Sequence, residues 1–303
     1  MGDTRVRCAT FNVLHGRRIQ GDGRPAPGPA DAALPLAEAV ASLDADVIAL
    51  QEVDRLLERS GSLDQAAVAA AAAGADQWRY ASALHCRSVP GGGWVRDPAE
   101  PGLRVYGPLD TVPQGQVPSH GVALLTRLPV REWRALRLSP APFGLPLRVA
   151  GRRAPVLARD QPRAALAAVL EGRRGPFTAV ALHLSFVPGW SVGQLLAVRR
   201  WIAALPAPHV LLGDFNLIGA IPRLTLNTAE RAGTWPLRAP AAEGSAARVW
   251  RTPEPVRTFP SHRPLVQLDH ILTAGLGHEG LGPARAPRTP ISDHRPLIAE
   301  LAL

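Results

Sequence analysis

The chain has no lysine: all 34 of its basic side chains are arginines. That absence excludes a Walker-type phosphate loop, the lysine of a protein kinase, and Schiff-base or pyridoxal chemistry, since each needs a lysine amine. Cysteine is nearly as scarce. Only Cys8 and Cys86 occur, and Cys8 sits inside an apolar run, so neither a disulfide framework nor a CxxC zinc site is on offer. Long apolar stretches are missing as well. The longest run of small apolar residues, Ala66 to Ala73, falls far short of the roughly 20 residues of a membrane span. No positively charged segment leads into an apolar one at MGDTRVRCATFNV. These absences predict a soluble, cytoplasmic protein.

What is present is a chain of 303 residues, long enough for one large domain or two ordinary ones and able to bury about three-quarters of its unfolded surface. Its net charge of +9 suits a polyanionic partner such as nucleic acid, anionic lipid or polyphosphate. A bias of composition toward Ala, Pro, Gly and Arg accounts for the same charge without any partner, and both readings stand at this point.

Strand-like apolar runs recur at Val6 to Val13, Val47 to Val53, Gly121 to Thr126, Ala164 to Leu170, Phe177 to Leu184, Val210 to Phe215, Leu268 to Thr273 and Leu297 to Leu303. Helical spacing appears at Ala32 to Leu43, at Leu63 to Ala73 and at Ser191 to Leu205, where Ser191 reads as the cap. Two segments, Arg87 to Ser119 and Ala220 to Pro264, show no period and read as long loops; the second carries seven arginines against three acids.

The chemistry lies where the strands end. VLLGDFNL places Asp214 and Asn216 two residues apart after an aliphatic run, so that in an extended chain both face one way. On this octet alone, a strand running into an Asx-rich turn explains as much. Five other strand edges deliver polar groups too: Asn12, Glu52, His183, Asp269 with His270, and Asp293 with His294. Burying a carboxylate costs several kcal/mol unless it is paired or holds a metal, which argues against six packing accidents. Side by side, the strands would gather carboxylates, amides and imidazoles on one rim. Oxygen ligands with few nitrogens suit magnesium or manganese better than zinc, and a metal with amide and imidazole donors suits a phosphoryl group.

Seven motifs, TFNVLHG, ALQEVD, HGVALLTRLPV, ALHLSF, LLGDFNL, LDHIL and SDHRPL, run in an order that resembles the endonuclease/exonuclease/phosphatase superfamily, and the likeness spans residues 5 to 303. The resemblance implies an α/β fold: a four-layer α/β/β/α sandwich of two packed mixed sheets, deoxyribonuclease-I-like. It implies one domain over residues 1–303, with long loops at about 87–119 and 220–264. It further implies Mg2+ or Mn2+ held by Glu52, Asn12 and Asp293, and Asp214 as the residue that orients or deprotonates water. Asn216 resembles the amide donor to the phosphate, and His183 a group that binds the phosphate or protonates the leaving group. Asp269 resembles the carboxylate that orients His294, the imidazole that stabilises the transition state. Alternation turns Gln51 and His270 away, which makes them structural. The remaining histidines, His15, His85, His120, His209, His262 and His278, read as loop or surface groups, with His15 and His120 the best secondary candidates.

The resemblance makes the chain a phosphoesterase. Its charge favours a nuclease, with Trp94, Tyr106, Phe186 and Trp190 as aromatics that could stack on a base. A phosphatase or phosphodiesterase for a small-molecule or lipid head group is the alternative, and a catalytically idle polyanion-binding module is the reading from another class.

Overall fold

The computed structural model describes residues 5–26, 33–88, 94–99, 102–110, 117–147, 155–232 and 248–303. Two mixed sheets face each other. In the first, the order is β15 (Leu281–Arg285), β16 (Leu297–Leu301), β1 (Val6–Asn12), β2 (Val47–Arg55), β6 (Ser119–Thr126), β3 (Gln77–Ser88) and β4 (Trp94–Arg96), with β5 (Arg104–Tyr106) also on β3. In the second, the order is β13 (Trp250–Arg251), β14 (Asp269–Ala274), β12 (His209–Asp214), β11 (Gly175–His183), β10 (Arg163–Gly172) and β7 (Val130–Leu138). A separate hairpin joins β8 (Gly144–Leu147) to β9 (Val156–Arg159). The pairs β1–β2 and β11–β12 are parallel and the others antiparallel.

Alternation along the strands builds the layers. Cys8, Val47, Ala49, Ala179, Ala181, Val210, Leu212 and Ile271 point inward and pack between the sheets. Their neighbours Ala9, Phe11, Ile48 and Leu50 point outward under α1 (Ala33–Ala41) and α2 (Gln65–Ala73). Val180, Leu182, Leu211 and Leu272 do the same under α3 (Trp190–Trp201) and α4 (Ile221–Ala232). Burying both faces of each sheet removes apolar surface from water at about 25 cal/mol per Å2, and this drives a four-layer α/β/β/α arrangement. Gly213 sits at a close approach of β12 to β11, where a Cβ would run into the Leu182 carbonyl.

The described parts of the two expected loops hold more order than the sequence suggested. β4 and β5 fall within 87–119, and α4 and β13 within 220–264; residues 89–93, 100–101, 111–116 and 233–247 lie outside the described residues. Ser191 is not the cap of α3. Gly189 holds that position, and Ser191 is buried one residue inside the helix, donating from its hydroxyl to the Val187 carbonyl. His85 and His209 are strand residues, 2% and 0% exposed, not loop or surface groups, whereas His262 and His278 are exposed. Cys8 and Cys86 are buried and unpaired. Among the described residues no helix is long and apolar enough to cross a membrane.

Candidate active site

The inward-facing series runs out at one edge of the sandwich, and its last members are polar. Asn12 continues the face of Cys8, His183 that of Ala181, and Asp214 that of Leu212; Asp269 opens the face that continues with Ile271. Strand register aligns three of them. His183 pairs with Asp214 across β11–β12, and Asp214 pairs with Asp269 across β12–β14.

Glu52 reaches the same edge by a different device. The β2–β6 pairing slips between Leu50 and Val53, a bulge that resets the alternation: Leu50 and Val53 both pack on the helix side although they are three residues apart. Glu52 sits in the bulge with a left-handed φ of 55°. Asn12 bridges it to the second sheet, donating from Nδ2 to Glu52 Oε1 at 3.2 Å and to Asp214 Oδ2 at 3.1 Å. The Asn12 oxygen accepts from the Leu14 N–H at 3.1 Å and keeps a second lone pair.

Asp214 is the hub. Its Oδ1 accepts from the Asn216 backbone N–H at 2.9 Å, while its Oδ2 lies 3.5 Å from His183 Nε2 and 3.8 Å from His294 Nε2. Asn216 also has a left-handed φ, 50°, and its amide donates to the Leu184 carbonyl at 2.9 Å with the same nitrogen 3.3 Å from His183 Nε2. His294 Nδ1 is 2.9 Å from Asp269 Oδ2, and its backbone N–H donates to Ser292 Oγ, which in turn donates to the Asn12 carbonyl. Asp293 stands apart from these bonds. Its carboxylate is half-buried, and Oδ1 has no hydrogen-bond partner among the described residues.

The electrostatics follow from burial and neighbours. Burial pushes the Asp214 carboxyl up to about 6, against the opposing pull of His294. Burial also disfavours the His294 cation, but Asp269 and Asp214 outweigh it and raise the imidazole to about 10. Glu52 is held below the ordinary carboxylate value: burial works against its charge, and His120, His15 and the Asn12 amide overcome it. Asp293 is raised by burial, with the nearby charge of Glu52 adding to the shift and the neighbouring His294 opposing it.

Arg163 was not visible as a site residue in the sequence. It is 9% exposed, and its Nη1 lies 3.1 Å from His183 Nδ1. A guanidinium can only donate, so together with burial it keeps His183 well below its usual value, as a neutral ring. The one sequence signal is an arginine at the mouth of the otherwise apolar run RAALAAVL. Asp54 was missed too. It is fully buried, and its oxygens receive two Arg59 N–H bonds at 2.7 Å each with His120 Nδ1 at 2.7 Å. His120, one of the two secondary candidates, is thereby held by Asp54; His15, the other, has a buried Nδ1 with no hydrogen-bond partner among the described residues.

Of the four aromatics, Tyr106 packs on Tyr80 at 6.0 Å between ring centres and under the Arg55 guanidinium at 4.1 Å. Trp190 donates from its indole to the Ser139 carbonyl at 2.8 Å. Phe186 borders the site, and the side chain of Trp94 lies outside the described residues.

The residues fit a hard cation. Carboxylates of Glu52 and Asp293, an amide oxygen on Asn12, and one buried carboxylate oxygen without a partner make an oxygen-rich donor set with no thiolate. A second grouping is geometrically open: one donor atom each from Asp214, Asp269 and His294 fall within 4.8 Å of one another. There, however, His294 Nδ1 is already bonded to Asp269.

The model of the Endonuclease/Exonuclease/phosphatase family matches residues 9–294. The chain belongs to that family. Its members are metal-dependent phosphoester hydrolases, so this chain is an enzyme of that class. Solved structures of family proteins share the fold. The chain is 18% identical to an endonuclease/exonuclease/phosphatase from Beutenbergia cavernae, with a TM-score of 0.60 over 99% of this chain and 72% of that one. A family protein from Bacteroides thetaiotaomicron is 16% identical, with a TM-score of 0.58 over 98% and 97% of the two chains. A mannosyl-6-phosphatase from the same organism is 15% identical, with a TM-score of 0.56 over 98% and 99%. No curated protein matches the chain in sequence.

Proposed function

We propose that this family member is a phosphodiesterase of nucleic acid that uses magnesium or manganese, that residues 1–303 form one domain carrying the site, and that it works in the cytoplasm, where Cys8 and Cys86 stay as thiols. The observation that carries the reading is the Asp214 carboxylate, ringed by Asn12, His183, His294 and Asn216 within 4 Å.

In this reading Glu52, Asp293 and the Asn12 oxygen hold the metal, which when bound neutralises a phosphoryl oxygen. Asp214 orients the attacking water and accepts its proton. Asn216 and His183 hold the phosphate as neutral donors; the Arg163 contact favours holding over protonating for His183. Asp269 fixes the tautomer and direction of His294, whose cation faces the charge that builds up as the bond to water forms. Oriented donors of this kind typically supply factors of about 10² to 10³ each.

Nucleic acid is favoured by the net charge of +9. Salt tests it: each phosphate neutralised lowers log affinity by about 0.7 to 0.9 per decade of salt. Fluorescent single- and double-stranded oligonucleotides, titrated with calcium to suppress cleavage, should bind steeply less well between low and physiological salt. A flat response with no cleavage in magnesium would end the nuclease reading and leave a small-molecule or head-group phosphoesterase.

A further inference from the structure

Beside the catalytic cluster a cleft of about 190 Å3 opens between the first sheet and the β8–β9 hairpin. Glu52 forms its inner edge, so it is continuous with the site. Three arginines, Arg59, Arg159 and Arg163, line it from separate segments, together with the apolar Leu84, Cys86 and Phe186.

The three cations differ in how far their charge is met. Arg59 donates from Nε and Nη2 to the two carboxylate oxygens of Asp54. Arg163 is nine-tenths buried, its nearest carboxylate oxygen, on Asp160, is 3.9 Å away, and its Nε is buried with no hydrogen-bond partner. Arg159 is exposed and makes no ion pair among the described residues. An unmet, buried N–H beside an unpaired guanidinium calls for an acceptor that carries charge and several oxygens. The cleft is smaller than the roughly 300 to 1,000 Å3 of pockets that enclose a whole drug-sized ligand, so it holds a group and not a molecule.

Resting on the phosphoesterase reading above, we infer that this cleft binds a second phosphate group of the substrate, adjacent to the phosphate that is cleaved. The substrate class is therefore a phosphate ester with a neighbouring phosphate. That phosphate is either the next one along a polynucleotide or a second one on a small-molecule bisphosphate. Phe186 and Leu84 would cover the carbon skeleton between the two.

Arg159→Gln is the test variant, because this side chain touches none of the reacting groups. Turnover is compared on p-nitrophenyl esters of thymidine phosphate with and without a second phosphate on the sugar, and on a hexose bisphosphate against the monophosphate. The second phosphate should raise kcat/KM by about tenfold or more on one of these scaffolds. The scaffold that gains identifies the source. In Arg159→Gln the gain should shrink to less than about threefold, with turnover of bis(p-nitrophenyl) phosphate unchanged. No gain on either scaffold, or a gain that survives in the variant, overturns the assignment. If the wild-type protein turns over nothing, the phosphoesterase reading fails separately. Calorimetry with calcium then decides the cleft: nucleoside bisphosphate should bind about tenfold tighter than monophosphate in wild type and not in Arg159→Gln, and equal binding by wild type refutes it.

Discussion

His294 Nδ1 lies 2.9 Å from Asp269 Oδ2, and the same ring turns its other nitrogen toward Asp214. The carboxylate opens β14 of the second sheet and the imidazole sits in the bend that leads into β16 of the first, so their contact ties the two halves of the rim together. If they act as one unit, the double variant Asp269→Asn with His294→Ala should lose little more activity than His294→Ala alone. Losses that multiply would show two independent contributions.

Glu52 and Asp214 share the Asn12 amide but should fail differently. Asp214→Asn should lower kcat by about 10²- to 10⁴-fold, the usual contribution of a positioned base, with metal affinity nearly intact. Glu52→Gln should weaken metal binding in calorimetry. The reverse pattern would exchange their roles.

Phe215 separates the two polar residues of the GDFN turn and is fully buried, edge-on to His270 at 5.2 Å between ring centres. Phe215→Ala should destabilise the fold by about 3–5 kcal/mol, read from denaturant midpoints. A change below about 1 kcal/mol would mean that the turn is not anchored through this ring.

His270 gives the acid limb of stability a defined sign. Burial lowers it from 6.5 to about 4, against the Leu217 carbonyl, which favours the proton. The unfolded chain takes up this proton first, so the contribution of the neutral ring is complete above pH 6.5 and is lost as pH falls from 6.5 toward 4. The loss amounts to about 3 kcal/mol at ~1.4 kcal/mol per unit. His270→Gln should flatten that limb in chemical denaturation at stepped pH, and an unaltered slope would assign it to other groups.

Alternation made most of this arrangement legible in advance. Asn12, His183, Asp214 and Asp269 simply extend the inner face of their strands, and His270 turns away as the same rule requires. Glu52 and Asn216 do not obey it: one sits in a bulge and both have left-handed backbones, which a period of two cannot register. Arg163 and Asp54 were missed because their significance lies in partners 20 and 66 residues away. α4 was hidden within a presumed loop because only Pro222 and Leu226 are buried on it, while Ile221 and Leu224 stay exposed. β4 and β5 are three residues long, too short to show any period.

The slip in β2 makes the glutamate and the core independent of each other. Because Leu50 and Val53 both stay beneath the helices, the strand lends a carboxylate to the rim without giving up an apolar position. Transplanting this centre onto another sheet by copying its side chains into matching positions would therefore misplace Glu52. The donor strand's additional residue has to travel with it, and any scaffold whose central strand cannot kink at that point is closed to this chemistry.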